Sequence, residues 1–307
     1  MEVTRTAPTQ PELTANASLA RFTTIRVGGA ADWLAEPGSA RAVTAALAWA
    51  RGAGVPVAIV GKGSNLLVDD AGFRGLALRL RGRLQSISVR EDRLWCGGGA
   101  SLPRAVLRAA AAGLTGIEFG ASIPGTAGGA VAMNAGAYRG ELKDVLEWAV
   151  LCSADGRRRV GLEELLFGYR SSAVRPFEVV VAVSFRLRPG DPEAIQATLA
   201  EFRRHRRDTQ PQGVRTFGSV FTNPPGESAG RLLEAAGCKE IAVGGARFSP
   251  VHANFIEASP GCASADVLAL MSEGRRRVRH AGGPLLEPEV RYLHPEHGIG
   301  KPPLEDV

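Results

Sequence analysis

Two glycine clusters limit most tightly what this chain can fold into. Val-Ala-Ile-Val-Gly61-Lys-Gly-Ser-Asn65 reads as a short apolar strand running into a tight turn. Such a turn can aim successive N–H groups into a concavity that suits phosphate oxygens. It is not the dinucleotide fingerprint, because no glycine follows three positions after Gly63, and it is not a P-loop. A plain strand-to-helix turn accounts for it equally well. The second cluster, Phe119-Gly-Ala-Ser-Ile-Pro-Gly-Thr-Ala-Gly-Gly-Ala-Val-Ala-Met-Asn-Ala-Gly136, holds five glycines between Gly120 and Gly136. Close packing against a planar or phosphorylated ligand would need such residues, and so would an unusually tight structural loop.

Strand-like and helix-like stretches alternate around these loops. Ser39 is placed to cap a helix through Ala53, with Val43 and Leu47 on one face. Ser101 and Pro103 open another helix that Gly113 ends. Val55–Val60, Leu76–Leu80, Leu84–Val89, Arg93–Cys96, Trp148–Cys152 and Val179–Leu187 are strand candidates. Arg188-Pro-Gly-Asp-Pro192 is the strongest boundary signal, with Asp191 and Pro192 suited to start a helix carrying Ile195, Leu199 and Phe202. Further helices are expected near Ser228–Ala236 and Ser264–His280, and a last strand near Glu289–Leu293. The expected fold class is α+β. Residues 1–20 form an irregular lead-in, 21–190 a larger first domain and 191–307 a smaller second one.

A chain of 307 residues with 45% hydrophobic content can build full cores. The net charge of +6 favours anionic partners. The basic runs Arg203–Arg207 and Arg275–Arg279 fall in helical patterns and read as solvated faces. Their lack of interleaved aromatics beyond Phe202 argues against a nucleic-acid track. Cys96, Cys152, Cys238 and Cys262 are widely spaced, so neither a metal site nor a disulfide framework is signalled. No signal peptide or membrane-length apolar run is present, and a reducing cytoplasm is the expected location.

An ordered series of blocks resembles the UDP-N-acetylenolpyruvoylglucosamine reductase family across nearly the whole chain. The blocks are Thr23-Thr-Ile-Arg-Val-Gly-Gly29, Gly61-Lys-Gly-Ser-Asn-Leu-Leu-Val68, Ile123-Pro-Gly-Thr-Ala-Gly-Gly-Ala130, Met133-Asn-Ala-Gly-Ala-Tyr138, Phe167-Gly-Tyr-Arg-Ser171, Phe217-Gly-Ser-Val-Phe-Thr-Asn-Pro224, Phe248-Ser-Pro-Val-His-Ala-Asn-Phe-Ile256 and Leu286-Glu-Pro-Glu-Val-Arg291. The resemblance implies a PCMH, or vanillyl-alcohol-oxidase-type, FAD-binding domain over 21–190 and a substrate-binding α+β domain over 191–307. It implies FAD held without a covalent link by Gly61, Lys62, Gly63, Ser64, Asn65 and Leu66, and by Ser122, Ile123, Gly125, Thr126, Gly128 and Gly129. It also implies NADPH as co-substrate and a UDP-sugar enolpyruvate as substrate. Hydride would pass from flavin N5 to the enolpyruvyl methylene. No metal, nucleic acid or membrane partner is expected, and a monomer is compatible with the pattern.

The reaction needs a cation for the carboxylate and a proton donor for the carbon beside it. By resemblance Arg170 is the cation, since a guanidinium matches a carboxylate in two contacts. Ser219 is the proton donor. Glu289 either donates a hydrogen bond when protonated or orients its neighbours when ionised, while Glu287 is structural. Tyr169, Asn223 and His252 are expected to touch substrate, and Arg215 and Lys239 to meet its diphosphate. Two departures stand out. Thr222 occupies a position where the family often has lysine, and the segment from Arg170 to Val179 is short, as in members lacking a lid loop. A covalently flavinylated relative is the alternative enzyme, although no histidine precedes His205 to carry such a link in the first region.

Overall fold

The computed structural model describes residues 11–304. The start of the lead-in, residues 1–10, lies outside them. Leu13–Ser18 is a strand, so the expectation of an irregular segment to residue 20 is corrected there. Its sequence, Leu-Thr-Ala-Asn-Ala-Ser, does alternate apolar and polar residues, but two of its three apolar positions are alanine and an asparagine sits among them, both poor strand formers.

The expected helices form where their caps predicted. Ala40–Ala53 begins at Ser39, whose Oγ accepts from Ala42 N at 3.2 Å, and ends at Gly54 with φ +67°. Its buried side includes Val43 and Leu47. Leu102–Ala111 has Pro103 in its first turn, although Ser101 makes no side-chain cap. Pro192–Thr209 opens with Glu193 N bonded to Asp191 Oδ1 at 3.2 Å. Ala229–Ala235 and Ser264–His280 complete the longer helices. No helix among the described residues is long and apolar enough to cross a membrane.

Contacts divide the chain into two compact units that are discontinuous in sequence. Among the described residues, the first gathers 11–15, 33–59 and 76–195. Its five-stranded antiparallel sheet runs in the order Gly156–Val160, Leu146–Ser153, Val179–Arg186, Arg93–Gly97, Ile87–Arg90. Val57–Ile59 pairs in parallel with Leu76–Leu78. The stretch Leu84–Val89, expected to be one strand, is a 3₁₀ turn over Gly82–Gln85 followed by the strand Ile87–Arg90. Helix Ala40–Ala53 buries its apolar side in a core with Leu76, Leu78, Val179 and Val181.

Among the described residues, the second unit gathers 16–32, 60–75 and 196–304. Arg291–His294 lies between Leu66–Val68, to which it is parallel, and Gly298–Gly300, to which it is antiparallel. A second small sheet joins Ala242–Val243, Ala246–Phe248 and Ile256–Ala258. Its core packs Leu67, Phe217, Phe221 and Phe248 around Met271 of Ser264–His280. That helix carries one basic run, and Arg275 within it is buried rather than solvated. The four cysteines are free and buried, and burial pushes Cys238 and Cys262 up to about 11. Such thiols are inert packing residues.

Candidate active site

The Gly61–Asn65 loop belongs to the second unit. Gly63 takes φ +61°, and a Cβ there would sit 2.2 Å from Phe22 O, so this position admits only glycine. Its carbonyl accepts from Thr24 N at 3.1 Å, which clamps the turn against residues 22–24. Among the described residues, no backbone N–H from Gly61 to Asn65 donates to a protein acceptor. Gly63 is buried, and a buried N–H requires a partner. These amides form a ready cradle for oxyanions, with Lys62 exposed beside them.

Hydrogen bonds tie this loop to Glu289 and to the strand-like segment holding Ser219. Asn65 Nδ2 donates to Glu289 O at 3.1 Å, and Arg291 N donates to Asn65 O. Glu289 N donates to Val220 O at 2.8 Å, and Thr222 N to Glu287 O. An antiparallel bridge joins Ser219 to Phe255. Gly218 has φ +84°, which lets the chain turn immediately before Ser219. Ser219 is half-buried, and among the described residues its hydroxyl has no protein partner. Within one unit, therefore, the first glycine loop, Ser219 and Glu289 are brought together.

Asn254, which sequence reasoning passed over, holds this arrangement. It is 3% exposed, its Oδ1 accepts from Phe221 N at 2.9 Å, and its Nδ2 donates to Phe221 O at 2.8 Å. Its carbonyl also takes Val220 N. The only signal was a polar residue in the otherwise apolar Ala-Asn-Phe-Ile block. The neighbouring His252 uses Nδ1 to accept from Asn254 N at 3.2 Å, leaving the ring proton on Nε2. Burial pushes its pKa down, so the ring is neutral. Asn223 is exposed and its Oδ1 caps Ala229 N at 3.0 Å. Thr222 turns its hydroxyl into Glu287 O at 3.2 Å. Lys239 is engaged with Glu234 at 2.6 Å, and Glu287 with Lys301 at 2.8 Å.

The second loop, in the first unit, is built differently. Thr126 caps the short helix Ala127–Ala132 through Gly129 N at 3.1 Å. Ala127 N and Gly128 N donate to Ala100 O and Gly98 O, both at 2.8 Å. Ile123 N and Gly125 N are likewise satisfied within the loop and its flank. A Cβ at Gly128 would meet Gly98 O at 2.8 Å and Val180 O at 2.9 Å. Gly120 packs on Leu102 and Val106, and Gly136 on Gly140 and Glu141. At Gly120, Gly128 and Gly136, therefore, the room a side chain would need is already taken by protein. At Gly125 the nearest atom to an added Cβ is 3.9 Å away, and Gly129 is exposed.

Arg170 sits in the first unit at the tip of a tight turn closed by reciprocal bonds between Gly168 and Ser171. Its φ is +54°, a conformation that costs a non-glycine residue energy and persists only when neighbours enforce it. Its Nη2 donates to Gly136 O at 3.0 Å, and its guanidinium lies 4.9 Å from the Tyr169 ring centre. Tyr169 itself is 53% exposed. Beneath the turn, Asn134 is fully buried and bonds Gly168 O at 3.0 Å, Glu141 Oε2 at 3.1 Å and, through Oδ1, Lys143 N. The Glu141 carboxyl is held below its ordinary range, chiefly by the hydrogen bond from Lys143, then by Asn134, with Arg170 adding attraction. The short stretch after Arg170 is tied down by Arg175 and Arg158, which pair with buried Glu178.

A family model described as FAD binding domain matches residues 31–160. Together with the fold, it defines the class: an α+β flavoprotein, with an FAD-binding domain ahead of a second, α+β domain. The second domain matches a model described as UDP-N-acetylenolpyruvoylglucosamine reductase, C-terminal domain, over residues 210–293. The chain belongs to the UDP-N-acetylenolpyruvoylglucosamine reductase family. A reductase of that name from Anaeromyxobacter dehalogenans is 49% identical over 91% of this chain and 84% of its own. One from Rubrobacter xylanophilus is 44% identical over 90% of this chain and 93% of its own. The crystal structure of the Thermus caldophilus reductase (MurB) superposes with a TM-score of 0.81 at 36% identity, covering 92% of this chain and 99% of that one. The first glycine loop fits the FAD its domain implies, since its unpaired amides and Lys62 suit a diphosphate.

Proposed function

We propose that this chain reduces UDP-N-acetylglucosamine enolpyruvate to UDP-N-acetylmuramate, using NADPH and non-covalent FAD, in peptidoglycan precursor synthesis. The observation that carries this reading is the unpaired amide row Gly61–Asn65, hydrogen-bonded through Asn65 and Glu289 to the segment that holds Ser219. Bound FAD would supply the hydride chemistry, relaying reducing equivalents from NADPH to the enolpyruvyl methylene carbon. Gly61, Lys62, Gly63, Ser64, Asn65 and Leu66 would hold its phosphates and adjoining atoms. Ser122, Ile123, Gly125 and Gly129 would offer surface to the rest of it, with Thr126 and Gly128 shaping that loop from within.

Arg170 would bind the substrate carboxylate and stabilise the charge that builds there as hydride arrives. Ser219 would hold a proton at Oγ and give it to the carbon beside the carboxylate. The carbon base is far stronger than an alkoxide, so a serine suffices, and solvent restores the lost proton. Glu289 would meet the developing acid-enolate or orient the donor. Tyr169 would cover substrate, and Asn223 and His252 would reach it through Nδ2 and Nε2. In this reading residues 21–190 serve FAD and 191–307 serve substrate, in a cytoplasmic, monomeric, short-loop member that needs no nucleic acid or membrane.

The test is spectroscopic. The purified protein should be yellow, bleach with NADPH and regain colour on adding the enolpyruvyl nucleotide. Ser219→Ala should bleach normally but lose at least about a hundredfold in recovery rate. A colourless protein that binds no FAD sinks the reading. Equal loss of both half-reactions would make Ser219 structural.

A further inference from the structure

A cleft of about 700 Å³ opens in the second unit, lined by Arg21, Thr24, Arg26 and Arg215 together with neutral residues. No acidic side chain lines it. Among the described residues none of these three guanidiniums is paired with a carboxylate. Arg21 rests over the Phe22 ring at 4.5 Å. Other arginines of this chain, such as Arg74 and Arg231, sit beside an acid, Asp32 and Glu227, whereas these three gather in one cleft without one. Three unpaired cations turned toward one cleft repel each other, and an anion entering it removes that cost.

The walls are held in place. Arg26 has φ +63°, and its N–H is fixed by Thr23 Oγ1 at 3.1 Å. Arg215 O accepts from Ala258 N at 2.9 Å. Thr24 N bonds Gly63 O, so the cleft wall is continuous with the first glycine loop. Guanidinium forks match phosphate oxygens in pairs. The volume exceeds what an inorganic ion fills and suits part of a nucleotide.

We propose that this cleft binds the phosphate groups of a nucleotide ligand other than FAD, with Arg26 and Arg215 as the principal contacts. Which nucleotide rests on the reading above: the 2′-phosphate of NADPH or the diphosphate of the UDP-sugar. Pyrophosphate titrated calorimetrically into the FAD-loaded protein should bind. Arg26→Gln and Arg215→Gln should each weaken it about tenfold, with Arg215→Lys recovering part of the loss. In steady state, a raised KM for NADPH with an unchanged KM for NADH assigns the 2′-phosphate. A raised KM for the UDP-sugar alone assigns the diphosphate. Unchanged pyrophosphate binding in both glutamine variants overturns the proposal, as do unchanged KM values. Loss of FAD from these variants overturns it too, by making the cleft part of the cofactor cradle. Should the protein lack reductase activity altogether, the pyrophosphate titration still decides the cleft by itself.

Discussion

Asn134 spends its whole side chain on the loop that carries Arg170. Its Nδ2 serves Glu141 and Gly168 while Oδ1 takes Lys143 N, all from a fully buried position. Asn134→Ala strands these groups, and each buried orphan costs about 1–3 kcal/mol. The left-handed Arg170 then loses its support. The expected result is a kcat reduced about tenfold or more, with FAD content and NADPH bleaching unchanged. Assay well below the melting temperature separates this from simple instability. Full kcat in folded Asn134→Ala would show that Arg170 does not depend on this residue. Arg170, Ser219 and Glu289 stood out only through the ordered blocks that resemble the family, because a lone arginine or Gly-Ser pair ordinarily marks a surface or a turn. Asn134 and Asn254 stayed hidden, since a buried asparagine is defined by which backbone groups reach it, and those come from distant segments.

Among the elements, the two glycine loops separate by what each glycine accommodates. At Gly128 a methyl group would push Ala127–Ala132 away from the carbonyls of Gly98 and Val180. Overpacking of this kind costs about 1–3 kcal/mol. Gly128→Ala should therefore melt earlier with or without flavin. Gly125→Ala meets nothing closer than 3.9 Å, so flavin-free protein should melt as the parent does. If this residue faces FAD, its flavin affinity should fall about tenfold, read by fluorescence titration. Unchanged affinity would remove Gly125 from the cofactor site. The same contrast explains what could be read from sequence. Ser39, Gly54 and the Val43–Leu47 spacing announced their helix locally. The strand Gly156–Val160 reads Gly-Arg-Arg-Arg-Val and announced nothing, because it exists through its register with Leu146–Ser153.

For the whole molecule, the division into units was the least legible property. Residues 16–32 and 60–75 group with the C-terminal half, because Ile25, Val27 and Leu67 share a core with Phe217, Phe221 and Val290. Local periodicity says that such residues are buried without saying against what. The division nonetheless makes a clean experiment, since Trp33, Trp49, Trp95 and Trp148 all belong to the first unit. That unit also contains Glu178, 4% exposed, bonded to Arg175 at 2.8 Å and Arg158 at 3.0 Å. The bond from Arg175, aided by Arg158, lowers its carboxyl from an ordinary 4.5 to about 2. A folded-state pKa below the unfolded one means stabilisation that is complete above pH 4.5 and fades as pH falls toward 2. Glu178→Gln should lower stability at pH 7 by about 1–2 kcal/mol, between the values for exposed and buried pairs. Urea melts followed by tryptophan fluorescence should show the gap between parent and variant closing across that acid range, as the parent's own carboxyl takes up its proton. A gap that stays constant down to pH 2 would mean that Glu178 contributes through its shape and hydrogen bonds rather than its charge.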